Sequence, residues 1–299
     1  MAGLLTELSE GPLSYQRIAA TGDERARLFT ASLDYLSHRG LVREADGAYT
    51  LTEYGADVCR DIGYLVWLVG GYGEPLRRLD SFLTGTKRYG VDFPRDGRWV
   101  ADGSAVIGRS DVVPDAMKLL ERHAFSTVLD LGCGNARFLA GVCRKFGARG
   151  IGVDVSPAAC AEAEKVIDEL GMGDRMRVEV GDAGALDKIP GLEDVDLVVT
   201  FFLLHEILAS GRDALVNYLK TMSAQLPVGA SLLIAEVQPP AIGDQYFTPE
   251  FTYVHAMMRQ FLFSAEEWTS ALDEAGFPVK EVVHCGMPGG ILLLCQNRA

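Results

Sequence analysis

An aspartate followed by two glycines gives the first chemical signal in the sequence. The apolar, branched run Thr127–Leu131 contains Asp130, and Gly132 and Gly134 complete an Asp-x-Gly-x-Gly turn before a helical pattern begins. Such a turn lies at the carboxyl end of a strand, where open α/β sheets bind nucleotides, and glycine lets a ligand approach the backbone closely. The spacing is not that of a dinucleotide fingerprint, and no phosphate-binding Lys-Ser/Thr pair follows it. A dinucleotide or a triphosphate is therefore a poor fit.

Two further acids follow the next two predicted strands. Asp154 comes 24 residues after Asp130 and can accept hydrogen bonds from both hydroxyls of a ribose. Asp182 follows the third strand, in a position to accept a hydrogen bond from an adenine amino group. Each acid alone is typical of a turn or a helix cap, but in register on successive strands they predict a nucleotide site. Its other predicted members are Val155, Ala183 and Thr200.

Two histidines lie where such a sheet opens towards a substrate. His205, followed by Glu206, comes just past the fourth strand, and His255 lies in an insertion after the fifth strand. A histidine titrates near neutral pH, so His205 could act as a general base on a substrate hydroxyl. Alternatively, two neutral imidazoles on two caps over one pocket could bind iron, zinc or copper and leave positions open for substrate. The residues alone leave both interpretations open.

A basic and aromatic segment precedes the predicted sheet. Between residues 64 and 111 the chain is rich in glycine and aromatic residues and reads as a packed linker. A substrate carboxylate would need an arginine fork, and Arg88 is the first candidate. The neighbouring candidates are Lys87, Tyr89, Arg95, Arg98 and Trp99.

The elements that must position these residues alternate between strand and helix patterns from about Val113 onwards. This alternation predicts an α/β fold with a parallel sheet and crossover helices. A short Gly/Pro turn, residues 286–290, joins the last two strands, so the final strand must run antiparallel in a seven-stranded sheet. The predicted strands are Thr127 to Leu131, Gly150 to Val155, Met176 to Val180, Val195 to Phe202, Ser231 to Val237, Lys280 to Cys285 and Ile291 to Cys295.

The first hundred residues predict a separate, mainly helical domain. A helical pattern at Phe29 to Leu36 leads through an acidic turn, Ala45 to Gly47, into a short strand, which resembles a winged helix. Residues 1–60 carry six arginines, no lysine and nine acidic residues, a balance that disfavours DNA. We therefore expect a dimerisation or substrate-covering domain at 1–100 and the nucleotide-binding domain at 101–299, with a homodimer as the assembly.

Composition limits the remaining function classes. The 299 residues suggest two domains, and the net charge of −13 makes nucleic acid a poor partner. The sequence has no run of 18 apolar residues and no signal-peptide pattern, so we expect a cytoplasmic protein without a membrane span. The six cysteines have no paired framework, which indicates reduced thiols.

The nucleotide-site residues resemble those of the class I S-adenosylmethionine-dependent methyltransferases, whose fold is Rossmann-like. Their glycine-rich motif matches Asp130, Gly132 and Gly134, and their ribose- and adenine-binding acids match Asp154 and Asp182. Their fourth motif falls on residues 195–202, and the resemblance covers roughly residues 113–299. It implies S-adenosylmethionine as the methyl donor, and an acidic site suits this cationic molecule.

A narrower resemblance concerns the acceptor. Residues 253–260 and 263–268, with 87–90 and 103–104, are similar to the metal-dependent α-keto acid C-methyltransferases, the phenylpyruvate methyltransferase type. This implies a small α-keto acid substrate and a non-haem metal, iron or zinc, held by His205 and His255, with Glu206 nearby. The pocket lining would then be Phe201, Phe202, Phe251, Tyr253, Met257 and Met258.

Two alternatives remain from the sequence. The chain also resembles winged-helix small-molecule O-methyltransferases, which carry a His-Asp pair where this chain has His205 and Glu206. In that case His205 would act as the general base. The other alternative is a catalytically idle regulator that binds S-adenosylmethionine.

Overall fold

The chain divides into two units, Met1–Ser110 and Asp111–Ala299. The computed structural model describes residues 2–241 and 248–298. The sequence predicts a domain boundary at residue 100, but this residue lies inside a helix of the first unit, Gly97–Ile107. Within the described ranges, no helix has the length and apolar character needed to cross a membrane.

The first unit combines a three-stranded antiparallel sheet with helices. The long helix Asp23–His38 is followed by a hairpin whose turn holds Asp46 and Gly47 at positive φ, 54° and 73°. The predicted step from helix through an acidic turn to a strand is therefore present. The strands are β1 Leu13–Ser14, β2 Val42–Ala45 and β3 Ala48–Leu51, in the order β1-β3-β2. The helices are α1 Ala2–Glu10, α2 Tyr15–Ala19, α3 Asp23–His38, α4 Glu53–Arg60, α5 Ile62–Leu65, α6 Tyr72–Arg77, α7 Leu79–Leu83 and α8 Gly97–Ile107.

Residues 64–111, which the sequence predicts to be a packed linker, are mostly helical. A π-helix, Val66–Gly71, packs against α8 with very little space between the two backbones. At Gly103 of α8, a Cβ atom would lie 2.5 Å from the backbone nitrogen of Trp67. Only glycine permits this approach, which buries Trp67 to 5% exposure. A second π-helix, Gly108–Val112, lies at the division between the two units.

The second unit contains a seven-stranded sheet in the order β6-β5-β4-β7-β8-β10-β9. As predicted, the last strand is the reversed one, because β10 pairs antiparallel with both β8 and β9. The fold class expected from the sequence is confirmed. The strands are β4 Thr127–Leu131, β5 Arg149–Asp154, β6 Met176–Val180, β7 Leu197–Phe201, β8 Ser231–Val237, β9 Val279–His284 and β10 Gly290–Gln296.

Helices cover both faces of this sheet. Ile151 of β5 lies in the large apolar core that α13 and α15 close on one face. The preceding residue, Gly150, faces α10, where a Cβ atom would lie 2.7 Å from the sulfur of Cys143. The helices are α9 Val113–Leu120, α10 Arg137–Phe146, α11 Pro157–Glu169, α12 Leu204–Leu208, α13 Arg212–Gln225, α14 Thr248–Met257 and α15 Ala265–Glu274. Short 3-10 turns lie at Leu186–Lys188 and Leu192–Asp194.

Replacing Gly103 with alanine should destabilise the first unit. The added methyl group would collide with the Trp67 backbone, and overpacking of this kind costs about 1–3 kcal/mol of unfolding free energy. Gly97→Ala is the matched control, because its Cβ would meet nothing within 4 Å. Urea unfolding followed by tryptophan fluorescence measures both. Equal stability of the two variants would contradict the close packing.

Candidate active site

The glycine turn after β4 is held against the end of β5 by backbone hydrogen bonds. Gly132 and Gly134 have φ angles of 78° and 54°, in the left-handed region that glycine adopts without strain. The Gly132 N–H donates to the Val153 carbonyl at 2.8 Å, and the Gly134 N–H donates to Asp154 Oδ2 at 2.9 Å. The turn and the first two predicted site acids therefore form one connected unit.

Asp154 and Asp182 are already anchored to backbone N–H groups. Asp154 Oδ1 accepts from the Ser156 N–H at 2.8 Å, and Asp182 Oδ1 accepts from the Gly184 N–H at 2.8 Å. Each carboxylate oxygen can accept two hydrogen bonds. Both acids therefore keep capacity for a ligand's hydroxyl or amino group while their orientation stays fixed.

Asp130 lies beneath the turn in an unusual electrostatic environment. Its side chain is buried, which is the larger cause, and the nearby Asp154 charge adds to it, so that the pKa of Asp130 is raised to about 7. Burial and a neighbouring like charge both disfavour the ionised carboxylate. The site therefore carries less negative charge below neutral pH than its composition suggests.

The other predicted nucleotide-site residues differ in exposure. Val155 is 71% exposed, just past the end of β5. Thr200 of β7 is fully buried, and its hydroxyl has no hydrogen-bond partner. The carbonyl of Ala183 accepts a hydrogen bond from the Tyr218 hydroxyl at 3.1 Å, which ties the loop after β6 to α13.

His205 is presented by a short helix, α12, which follows shortly after a strained residue. Phe202, just after β7, has a φ of 57°, and its N–H donates to the Ala235 carbonyl of β8 at 2.9 Å. A non-glycine residue in this region costs about 1–2 kcal/mol, and such positions concentrate at functional sites. The turn lets α12 begin directly at the sheet edge, with His205 in its first turn.

A buried glutamate fixes both α12 and the His205 ring. Glu236 of β8 is 1% exposed, and its Oε1 accepts from the Leu204 N–H at 3.0 Å and from the His205 N–H at 3.2 Å. Its Oε2 lies 2.8 Å from His205 Nδ1. Because an ionised carboxylate can only accept, Nδ1 carries a proton, and in the neutral form of the ring the lone pair is therefore on Nε2.

His255 of α14 lies beside His205, with ring centroids 5.1 Å apart and ring planes at 79°. Its Nδ1 donates to the Phe251 carbonyl at 2.6 Å, so its lone pair is also on Nε2. Burial, and secondarily the neighbouring His205, lowers the pKa of His255 to about 4. His255 is therefore a neutral imidazole at physiological pH, as a metal ligand must be.

The chemistry of these two rings fits a metal site with two protein ligands. Metal-binding histidines commonly donate their second ring N–H to a carboxylate or a carbonyl, which is the arrangement seen for both rings. Glu206 is the nearest further carboxylate, with its Oε1 4.0 Å from His205 Nε2. Across residues 2–241 and 248–298, no group of three or more His, Cys, Asp or Glu side chains is placed to hold a metal.

The predicted carboxylate-binding arginine and the predicted pocket lining differ in their exposure to solvent. Arg88 belongs to the first unit and is exposed, and its backbone N–H donates to Asp92 Oδ2 at 2.8 Å. Its contact with a substrate carboxylate stays a prediction. Of the predicted lining, Phe251 is 3% exposed and Tyr253 is 44% exposed. Four further side chains are partly buried: Phe201, Phe202, Met257 and Met258.

Two residues of this site were not predicted from the sequence. Glu236 is the one charged residue in the strand Ser231–Val237, and an isolated acid in an apolar strand is the signal that could have identified it. Gln260 follows α14, and its Nε2 donates to Glu206 Oε2. Nothing in its sequence neighbourhood distinguishes it from a surface glutamine.

Comparisons with known proteins identify the family of this chain. The family model described as "Methyltransferase domain" matches residues 128–226. Indolepyruvate C-methyltransferase of Streptomyces griseus is 28% identical over 304 residues, covering 99% of this chain and 89% of that protein. 2-Ketoarginine methyltransferase of Streptomyces arginensis is 30% identical over 293 residues, covering 92% of this chain and 82% of that protein. The chain belongs to the S-adenosylmethionine-dependent methyltransferases.

The solved structures give the same fold for this methyltransferase. The N,N-8-amino-8-demethyl-D-riboflavin dimethyltransferase from Streptomyces davawensis superimposes with a TM-score of 0.68 at 20% identity. The match covers 99% of this chain and 92% of the Streptomyces davawensis chain. At this identity the likeness concerns the fold alone.

Replacing Asp130 with asparagine should change the pH dependence of the methyltransferase's stability. The folded state holds the carboxyl protonated up to about pH 7, whereas the unfolded chain ionises near its ordinary value of 3.8. Stability is therefore lost as pH rises through this window, at about 1.4 kcal/mol per pKa unit as an upper bound. We expect the stability of Asp130→Asn relative to the parent to increase between pH 4 and pH 7 and then level off.

Urea titration without ligand measures this difference. Asp187→Asn, at an exposed position, is the matched control for the loss of one carboxylate. A pH-independent difference between Asp130→Asn and the parent would show that the Asp130 carboxyl titrates normally.

Replacing Glu236 with glutamine should reverse the His205 tautomer. The amide has one acceptor oxygen, which the two α12 N–H groups require, so its NH₂ group would face His205 Nδ1. Nδ1 would become the acceptor and Nε2 would take the proton. Imidazole ¹⁵N NMR shifts report the change, with Glu193→Gln, at an exposed position, as control. An unchanged His205 tautomer in Glu236→Gln would refute the assignment.

Proposed function

We propose that this methyltransferase moves the methyl group of S-adenosylmethionine to the β-carbon of a small α-keto acid, in a site where His205 and His255 hold a metal ion. The single observation that carries the proposal is the pair of buried imidazoles, 5.1 Å apart, each with Nδ1 donating to a fixed acceptor. Both rings therefore direct a lone pair from Nε2. Two relatives are named indolepyruvate C-methyltransferase and 2-ketoarginine methyltransferase, and each match covers most of this chain and most of the relative. Both names support a keto acid as the substrate.

The protein groups prepare the site before any ligand binds. Glu236 orients His205 and makes its Nε2 more basic, while burial keeps His255 neutral. His205 and His255 would hold the metal ion, which would supply Lewis-acid chemistry for polarising the keto acid and favouring loss of a β-proton. The burial of both rings, at 8% and 5% exposure, restricts water around the reacting carbon.

The methyl donor is assigned to the glycine turn and its acids. Asp154 is proposed to accept from the ribose hydroxyls and Asp182 from the adenine amino group, since each keeps acceptor capacity. Val155, exposed beside Asp154, is proposed to contact the adenine ring. A sulfonium needs no phosphate-binding residues, in agreement with the form of the turn.

The first unit is proposed to serve dimerisation and substrate covering. Large apolar side chains are exposed on it, and exposed apolar surface is typical of interaction sites. Leu83 is 79% exposed, Val91 66% and Val69 65%. A homodimer is the assembly we propose for this surface.

O-methylation is the second candidate, and one observation favours it. A carboxylate that accepts from Nδ1 also raises the basicity of Nε2, as in histidine-carboxylate pairs that remove a hydroxyl proton. His205 and Glu236 have this arrangement. In that mechanism His205 is the general base and His255 needs no metal.

Replacing His255 with alanine separates the two functions. C-methylation predicts that the variant loses its metal and that turnover of α-keto acids falls at least about 100-fold, while S-adenosylmethionine binding is preserved. Elemental analysis, calorimetry and release of S-adenosylhomocysteine measure the three properties. His284→Ala, at an exposed position of β9, is the control.

Each outcome of this experiment points to one candidate. Keto acid turnover that survives in metal-free His255→Ala would remove the metal-assisted mechanism. Turnover of phenols but not keto acids by the parent enzyme would favour O-methylation with His205 as base.

A further inference from the structure

Gln260 connects the two histidine-bearing helices by a route that does not involve the rings. It follows the end of α14 and is 9% exposed. Its Nε2 donates to Glu206 Oε2 of α12, whereas its Oε1 is buried and has no hydrogen-bond partner. A buried acceptor without a donor costs about 1–3 kcal/mol, so this oxygen needs a reason to be there.

The orientation of the amide follows from chemistry. An ionised carboxylate only accepts hydrogen bonds, so the NH₂ group of Gln260 must be the end that faces Glu206. Turning the amide over would place two acceptors against each other. The buried Oε1 is therefore a consequence of holding Glu206.

The backbone just before Gln260 is also strained, which is a second sign that the position of this residue is constrained. Arg259 has a φ of 60°, which costs a non-glycine residue about 1–2 kcal/mol. This turn lets the Gln260 N–H donate to the His255 carbonyl at 2.8 Å and reverses the chain at the end of α14. Strain that persists beside a functional residue is commonly part of positioning it.

We propose that Gln260 is a positioning residue that holds the Glu206 carboxylate beside His205, where its negative charge attracts the metal ion. The other oxygen of that carboxylate, Oε1, lies 4.0 Å from His205 Nε2. A fixed carboxylate at this range strengthens cation binding without being a ligand. This inference rests on the proposed two-histidine metal function.

Titration of metal-free protein with Co²⁺ alone tests the inference without any turnover. We expect Gln260→Leu to weaken Co²⁺ binding by about 10–100-fold and to leave S-adenosylmethionine binding unchanged. Gln225→Leu is the matched control, because Gln225 at the end of α13 also has a buried Oε1 without a partner. It should bind Co²⁺ as the parent does.

A double exchange separates positioning from simple packing. Glu206→Gln with Gln260→Glu keeps the hydrogen bond but moves the charge from α12 to the end of α14. We expect its melting temperature to match that of the parent while Co²⁺ binding stays weak. Recovery of Co²⁺ binding in the double variant would show that the pair acts only as a packing contact. This variant also remains informative if Gln260→Leu fails to fold.

The failures are distinguishable. Equal Co²⁺ affinity of the parent and Gln260→Leu overturns the role of Gln260 and leaves the proposed function standing. Absence of Co²⁺ binding by the parent overturns both the metal site and the positioning role. Parent binding that is lost in His255→Ala and weakened in Gln260→Leu supports both.

Discussion

The hydrogen bonds of the Glu236 carboxylate are the interaction on which the rest of the site depends. An ionised group that is 1% exposed is costly to bury unless donors compensate it, and three donors do so here. Two of them are the first N–H groups of α12 and the third is the His205 ring. Because the buried Glu236 carboxylate requires these donors, it determines where α12 begins and how the His205 ring is oriented. Removing the charge would disturb local structure and chemistry together, because the same oxygens serve both.

The topology explains why two distant segments meet at one place. Strands β7 and β8 are neighbours in the sheet, and α12 follows the first while α14 comes after the second. Residues 205 and 255 are far apart in sequence, yet both follow adjacent parallel strands at the same sheet edge. β4, which carries the glycine turn, is the other neighbour of β7, so the proposed sites for the methyl donor and the acceptor occupy consecutive positions along that edge. Separate strands can position the two substrates because a rigid sheet fixes the spacing between them.

Local patterns predicted much of this arrangement, and long-range contacts account for what they missed. The apolar runs that contain Asp130 and Asp154 indicate their strands, because burial on both faces leaves a nearly continuous apolar stretch. The positions of His205 and His255 follow from the same reasoning. The role of Glu236 was not predicted because its partner, His205, lies 31 residues away in the sequence. Strand periodicity does not indicate which strand residue contacts the end of a helix. The left-handed conformations of Phe202 and Arg259 also left no trace, since neither position is a glycine.

The reversed strand has a consequence for the order of folding. β10 lies between β8 and β9, and Ile291 is paired opposite Glu236. Until residues 290–296 have been synthesised, one edge of β8 has no strand beside it, although the apolar side chains of Leu232 to Ile234 are already present. Such an edge is prone to intermolecular pairing, and non-local pairing forms slowly. The surroundings of Glu236 should therefore be completed late in synthesis on the ribosome. Nascent chains that stop before β10 should depend most on chaperones.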